Sequence, residues 1–498
     1  MRSFGNFAAS IFNVAASCVS TLALLPIIQQ SLGVAAYGYV GVAASFINAS
    51  TVFSVAITSM AARYISIEIN KRECKVANQF FNSIFFACLI MGCCFIAFFF
   101  ALSLSIDSVM SIEPVMVSQV QVLLMAMAGT LFCTMFKTPF TAALYANNRL
   151  YVDSLFLGIS QLARVVAPLA LFGILGPSIW LPYMASLMID VAACLFYVRR
   201  YRKYNPNLSL GLEFARWALF VEVLSSGVWV SVQKAGAVLI STISLYLANI
   251  MIGEYEAGIF NTITQLQSFA SVYAVAMVNL FVPYIYSAYA HNDRSIGLVL
   301  KRSFHVAGLL LGPVLGGVIA FAVAFLTYWT QMDMSVYALC ITIMLGYPAL
   351  TYVCELLSQV FIAEKAVKIP ALATIGFGVM NIALSALFCV VFDLGVVGLA
   401  AAQAFSLLAR HYFITVPYAS KLLHMRIARL LGMSFFSPLV SCFSLVVGVA
   451  VETAFPPVGL PVLLLEGFFS VGVGVAFGLA LLPGDTRAIV IDKIKNKL

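Results

Sequence analysis

The chain has 498 residues, of which 63% are hydrophobic and 9% charged, with a formal net charge of +8. A soluble domain normally carries about 25% charged residues, so the composition excludes a water-soluble enzyme of this length and equally a disordered or fibrous chain. What is left is a polytopic membrane protein, with apolar residues enough for up to about 15 spans of roughly 20 residues each.

Fourteen hydrophobic stretches follow one another, near 5–30, 38–62, 79–104, 116–143, 154–175, 178–198, 217–250, 257–288, 303–328, 335–362, 371–392, 396–418, 432–452 and 460–482. Each is long enough to cross a bilayer as a helix, so the predicted fold is all-α. The first follows Met1-Arg2, and its apolar run is too long for the core of a signal peptide; Ala16-Ser17-Cys18 is only a loose lipoprotein-like site. Span one carries Asn6, Ser10, Asn13, Ser17 and Ser20 at steps of four and three, which places them on one helical face. Span two contributes Ser45, Asn48 and Ser59. Pro139 interrupts span four and Pro168 span five, which also holds Arg164 on a face with Gly158 and Gln161; span six holds Asp190. Span seven carries Gly227, Ser231, Lys234, Ser241 and Ser244, with Glu222 near its start, and span eight carries Asn261, Gln265, Ser268 and Asn279. Pro283 and Pro348 interrupt spans eight and ten, and Glu355 lies in span ten. Arg410 shares a face of span twelve with Gln403 and Ser406, beside His411, which is expected at the membrane interface; Glu466 lies in span fourteen. The Gly312–Gly316 and Gly474–Gly478 spacings predict close helix packing.

Positive charge is retained on the cytoplasmic side of short loops. Of the 27 Lys and Arg residues, 24 fall on the side that holds the N-terminus, and Arg164, Lys234 and Arg410 fall inside spans. The opposite loops carry only acids, Asp107, Glu113, Glu254, Glu256, Asp333, Asp393 and Glu452, so both termini are expected in the cytoplasm. These cations set orientation and meet anionic lipid headgroups, and no nucleic acid is needed to explain the charge. The longest loop is the roughly eighteen residues of 199–216, too short to fold as a domain. Cysteines lie in the spans, Cys74 excepted, and no disulfide framework is expected.

Gly33-Val34-Ala35-Ala36-Tyr37-Gly38 lines up with Gly253-Glu254-Tyr255-Glu256-Ala257-Gly258 at an offset of 220 residues, and 146–154 with 363–371 at 217. The offsets predict six spans duplicated with two more added: an N-terminal lobe 1–203, a second lobe 204–420, and two further spans with a tail in 421–498. Six is even, so the lobes keep the same orientation, as in transporters that rock about a central site.

Polar stripes glue helices together or line a water-filled cavity. Their concentration in the first two spans of each lobe favours a cavity holding Asn13, Asn48, Ser231, Asn261 and Gln265. A cation at the bilayer centre costs roughly 2.5–3.5 kcal/mol, so Lys234, Arg164 and Arg410 are the candidates to attract an anionic group such as a pyrophosphate, Arg by a fork and Lys as a point charge. Asp190, Glu355 and Glu222 are candidates for coupling to protons or sodium; equally, the acids pair with the buried cations. The chain has no phosphate-binding loop, HExxH, CxxC or GxSxG motif, so it does not itself hydrolyse ATP, and neither a metal nor another cofactor is expected.

The sequence Leu32-Gly33-Val34-Ala35-Ala36-Tyr37-Gly38-Tyr39 after a Pro26-ended span, Ala61-Ala62-Arg63-Tyr64, Pro139 with Asn147-Asn148-Arg149, and the fourteen-span layout carry a family likeness. The chain resembles the Wzx-type O-antigen and polysaccharide flippases of the multidrug/oligosaccharidyl-lipid/polysaccharide (MOP) exporter superfamily. The resemblance implies a bundle of six plus six helices with spans thirteen and fourteen peripheral, and a cavity lined by spans one, two, seven and eight. It implies a non-enzymatic activity, flipping a polyprenyl-pyrophosphate-linked oligosaccharide from the cytoplasmic to the periplasmic leaflet of a bacterial inner membrane, with coupling to H+ or Na+. Polysaccharide polymerase and chain-length regulator proteins are the partners it suggests. Rival readings are a drug or metabolite cation antiporter of the same superfamily and, behind it, a membrane-embedded polymerase or ligase.

Overall fold

The structure is a computed structural model that describes residues 29–70, 74–146, 150–204, 208–281, 296–364 and 366–488, together with Ala16, Ser20, Pro26 and Ile285. Among the described residues the regular elements are helical, with no strand. The main helices are α1 (Val34–Asn70), α2 (Cys74–Leu104), α3 (Val117–Ala146), α4 (Leu150–Leu175), α5 (Leu181–Tyr204), α6 (Trp217–Ala237), α7 (Ile243–Met251), α8 (Glu254–Asn279), α9 (Ile296–Thr330), α10 (Ala338–Thr351), α11 (Glu355–Ala363), α12 (Lys368–Ala386), α13 (Gly395–Ala409), α14 (Val416–Leu422), α15 (Ile427–Ser434), α16 (Phe436–Ala454) and α17 (Leu460–Leu481). A π turn at Val238–Thr242 carries α6 into α7, and another at Arg410–Thr415 carries α13 into α14.

Eleven helical stretches among the described residues are long and apolar enough to cross a membrane, where a helix satisfies its backbone groups without water. They correspond to predicted spans two to seven, nine to eleven, thirteen and fourteen. Predicted span eight is α8, and predicted span twelve is the helical run α13–α14; Asn261 and Gln265 in one, and Arg410-His411 in the other, dilute their apolar character. Most of span one lies outside the described residues, Asn13 included, as do Asn147-Asn148-Arg149 and Pro283.

The chain divides into two compact units, Met1–Asn261 and Thr262–Leu498. In the first, α1 packs on α2, α3 and α6, α3 also meets α2 and α5, and α4 packs on α5. Large rings fill the space between α2, α3 and α5: Phe81 stacks on Tyr201 at 4.8 Å, and Phe140 meets the same tyrosine edge-on at 5.2 Å, geometries that aromatic quadrupoles favour.

In the second unit α9 carries α16 and α17 along its length, while α10 and α12 both pack on α13. The glycine spacings are close-packing devices, as predicted. A Cβ at Gly312 would stand 2.8 Å from the Ser437 carbonyl oxygen, and one at Gly474 would stand 2.9 Å from the Ser444 Cβ. Ser444 Oγ, fully buried, donates to the Pro313 carbonyl at 2.9 Å, a polar tie of the kind that holds helices together without water.

The two aligned glycine motifs touch each other within the first unit. Gly33 (φ 90) and Gly253 (φ 142) turn the chain into α1 and α8 through conformations that a Cβ disfavours. A Cβ on Gly38 would lie 2.5 Å from the Glu254 carbonyl oxygen and 2.9 Å from the Gly258 nitrogen, and Gly258 in turn abuts the Val34 backbone. Under the 220-residue offset Gly38 is the counterpart of Gly258 and Val34 of Glu254, so the contact is self-complementary, the form a two-fold relation produces. Asn261 Nδ2 donates to the Tyr37 carbonyl at 3.2 Å, and the Tyr39 hydroxyl donates to Glu254 Oε2 at 2.5 Å.

Candidate functional site

Three charges meet inside the first unit because α3, α4 and α5 pack side by side. The Asp190 side chain on α5 is 4% exposed and receives Lys137 Nζ of α3 at 3.1 Å and Arg164 Nη2 of α4 at 2.8 Å. A lone carboxylate at this depth would be strongly disfavoured; two cations with hydrogen-bonding geometry compensate its desolvation. Sequence reasoning counted Lys137 with the loop cations. It falls within predicted span four all the same, and the structure keeps it in the matching apolar stretch Pro114–Ala143, held there by Asp190.

A second cluster lies in the other unit. Glu355 opens α11; its Oε1 stands 3.4 Å from Arg410 Nη2 and 3.5 Å from His411 Nε2, and its Oε2 accepts from Ser358 Oγ at 3.0 Å. Arg410 Nη1 donates to Thr374 Oγ1 of α12 at 3.2 Å. Arg410 Nη2 also lies 2.9 Å from His411 Nε2. A guanidinium only donates, so Nε2 stands between a donor, Arg410, and an acceptor, Glu355, and its own proton decides which of them it can bond. His411, expected at the interface, is 3% exposed and belongs to the charge network around Glu355. The π turn begins at Arg410 itself, a backbone feature frequent at functional sites.

The clusters differ in access. Asp190 is sealed, whereas the Glu355 side chain is 37% exposed and lines a pocket of about 200 Å³ with Ser271, Tyr352 and Gln359. The Ser271 and Tyr352 hydroxyls bond to each other. Deeper in the unit, the buried Tyr347 hydroxyl accepts from Gln267 and from Gln403 Nε2, the latter at 3.1 Å.

The remaining predicted residues are dispersed. Lys234 is half-buried on α6, one turn from Ser231, and among the described residues neither side chain has a partner. Asn48 on α1 and Glu222 on α6 are exposed, Gln265 on α8 is half-buried, and Asn261 is buried against Tyr37. Many stripe hydroxyls bond back to their own helix, Ser45 to the Gly41 carbonyl at 3.0 Å, Ser241 to Ala237 at 2.8 Å and Ser268 to Gln265 at 2.7 Å. Lys137 and His411 were missed as site residues. A signal was available for Lys137: Glu355 follows it by 355 − 137 = 218 positions and Arg410 follows Asp190 by 410 − 190 = 220, close to the motif offsets. The pair recurs at repeat spacing with its charges exchanged.

No family model matches the chain. A curated relative, the "uncharacterized membrane protein EpsK" of Bacillus subtilis (strain 168), is 27% identical over 422 residues, covering 84% of this chain and 83% of its own length. Among solved structures, the lipid II flippase MurJ in an inward closed conformation superposes with a TM-score of 0.67 at 14% identity, covering 96% of this chain and 98% of its own. An inward-facing multidrug resistance MATE family transporter of the MOP superfamily also gives 0.67, at 15% identity, covering 83% of this chain and 98% of its own. At these identities the likeness is one of fold: the chain has the helical transporter fold shared by MATE and MurJ.

Proposed function

We propose that the chain flips a polyprenyl-pyrophosphate-linked oligosaccharide, such as an O-antigen unit, from the cytoplasmic to the outer leaflet of a bacterial plasma membrane by alternating access, with both termini in the cytoplasm. The observation that carries this over cation export is coverage. The superposition with the lipid II flippase takes in 96% of the chain, that with the MATE transporter 83%. The half-buried Lys234, with no acidic partner among the described residues, is the cation left to meet a pyrophosphate; Arg164 and Arg410 already face carboxylates. Glu355, with His411 beside it and a pocket bearing Ser271, Tyr352 and Gln359 in front, is the coupling group, and the sealed Asp190 is structural.

The equal TM-score of the MATE transporter keeps a drug or metabolite antiporter as the second reading. Deleting the gene and mapping the leaflet position of lipid-linked oligosaccharide separates the two. Accumulation on the cytoplasmic leaflet with loss of surface polymer, restored by the wild type and by Lys234→Arg but not by Lys234→Ala, is the expected outcome. A normal surface polymer with no trapped intermediate would overturn the flippase reading in favour of the antiporter.

A further inference from the structure

The segment 199–216 holds Arg199, Arg200, Arg202, Lys203 and Arg216 against a single acid, Glu213. A cation-rich connection of this kind is usually a solvated strand of chain. Here three buried polar side chains at the start of α2 fix its second half. Asn82, fully buried, donates to the Ser209 carbonyl at 2.8 Å and accepts from the Gly211 N–H at 2.9 Å, and Asn78 accepts from the Ser209 N–H at 3.0 Å. Ser83 Oγ accepts from the Arg216 N–H at 2.8 Å and donates to its carbonyl at 3.2 Å. Tyr201 adds a bond to the Leu208 carbonyl at 2.7 Å. The position of Arg216 is thus built rather than incidental.

Arg216 sits at the mouth of an apolar groove of about 460 Å³, floored by Phe86, Ile90 and Cys94 of α2 and walled by Trp217 and Phe220. Trp217 is 77% exposed, and its ring lies 5.0 Å from that of Phe220. From Ser83 to Cys94 the groove runs eleven helical steps, about 16 Å at 1.5 Å each, which is close to half of a hydrocarbon core of about 30 Å. One leaflet's depth, apolar beyond Ser83, with an arginine and an exposed tryptophan at the charged end, has the dimensions and polarity of a single phospholipid.

We infer that this groove is a binding site for an anionic phospholipid of the bilayer, an acyl chain lying along Phe86, Ile90 and Cys94 and the phosphate meeting Arg216. Arg199, Arg200, Arg202 and Lys203 supply the surrounding field that selects negative headgroups. The site belongs to the first unit alone and does not depend on what the protein transports.

The test uses the full-length protein in phosphatidylcholine nanodiscs doped with phosphatidylglycerol carrying a photoreactive diazirine on one acyl chain. Cross-links are expected on the peptide containing Phe86–Cys94. Arg216→Ala should raise the lipid concentration for half-maximal labelling about fivefold, the factor set by roughly 1 kcal/mol for one basic side chain near the membrane surface. Ile90→Trp, which fills the groove and leaves the Asn82 and Ser83 bonds untouched, should abolish that label. Equal labelling by the phosphatidylcholine analogue would overturn the headgroup selectivity, and labelling unchanged by Ile90→Trp would overturn the groove. Displacement of the probe by an equimolar trace of polyprenyl phosphate would overturn the assignment to a bilayer phospholipid in favour of the carrier lipid.

Discussion

At the scale of single residues, what separates the buried Asp190 from the partly exposed Glu355 is what each can do when a proton arrives. Asp190 answers two cations in a closed space, so Asp190→Ala strands Lys137 and Arg164. The expected cost is on the order of 3 kcal/mol, as for buried pairs that lose one partner. Glu355 has a pocket in front of it and an imidazole beside it, so Glu355→Gln is expected to keep the fold while flattening the dependence of transport on an imposed proton or sodium gradient. Thermal unfolding in detergent and gradient-driven uptake in vesicles read the two effects separately. Wild-type gradient dependence in Glu355→Gln would remove its coupling role.

At the scale of helices, glycine decides how closely backbones approach. Gly38→Val would put carbon 2.5 Å from the Glu254 carbonyl oxygen and 2.9 Å from the Gly258 nitrogen, both backbone atoms that cannot swing aside. Overpacking of this kind is expected to destabilise by about 1–3 kcal/mol. Gly376→Ala is the matched control: nothing lies within 4 Å of its would-be Cβ on α12, and a gain of up to about 1 kcal/mol from helix propensity is expected. The same thermal unfolding assay ranks them. The packing of α9 was legible in advance, since Gly312–Gly316 has the pattern that backbone approach requires, whereas the matched spacing of Gly33–Gly38 and Gly253–Gly258 pointed to a duplication and not to their contact. Buried partners were less legible. His411 lies next to Arg410 in sequence and so read as interfacial; its burial comes from the convergence of α11, α12 and the π turn on Glu355. Lys137 read as a loop cation because charge alone marks a boundary, and the counter-charge that lets it enter a span is 53 residues away.

For the whole molecule, the one-sided distribution of Lys and Arg makes a prediction about sidedness. In a cysteine-free background, a thiol at position 333, between α9 and α10, should react with an impermeant maleimide in intact cells, and one at position 424, between α14 and α15, only after permeabilisation. Hydrogen bonds from Ser335 hold the Asp333 carboxyl below the usual carboxylate range, so this turn stays negative through ordinary pH. The reverse labelling pattern would invert the orientation. Spans were readable because about 20 apolar residues have few other uses, and eleven of the fourteen stand among the described residues as helices apolar enough to cross a membrane; the weakest readings fell on α8 and α13–α14, where polar side chains erode the apolar signal. Asp190 finds its counter-charges within the first unit and Glu355 within the second. Charge balance is thus kept inside each unit, so that reversing the polarity of one cluster, Lys137 and Arg164 with Asp190 or Glu355 with Arg410, would orphan no charge in the other.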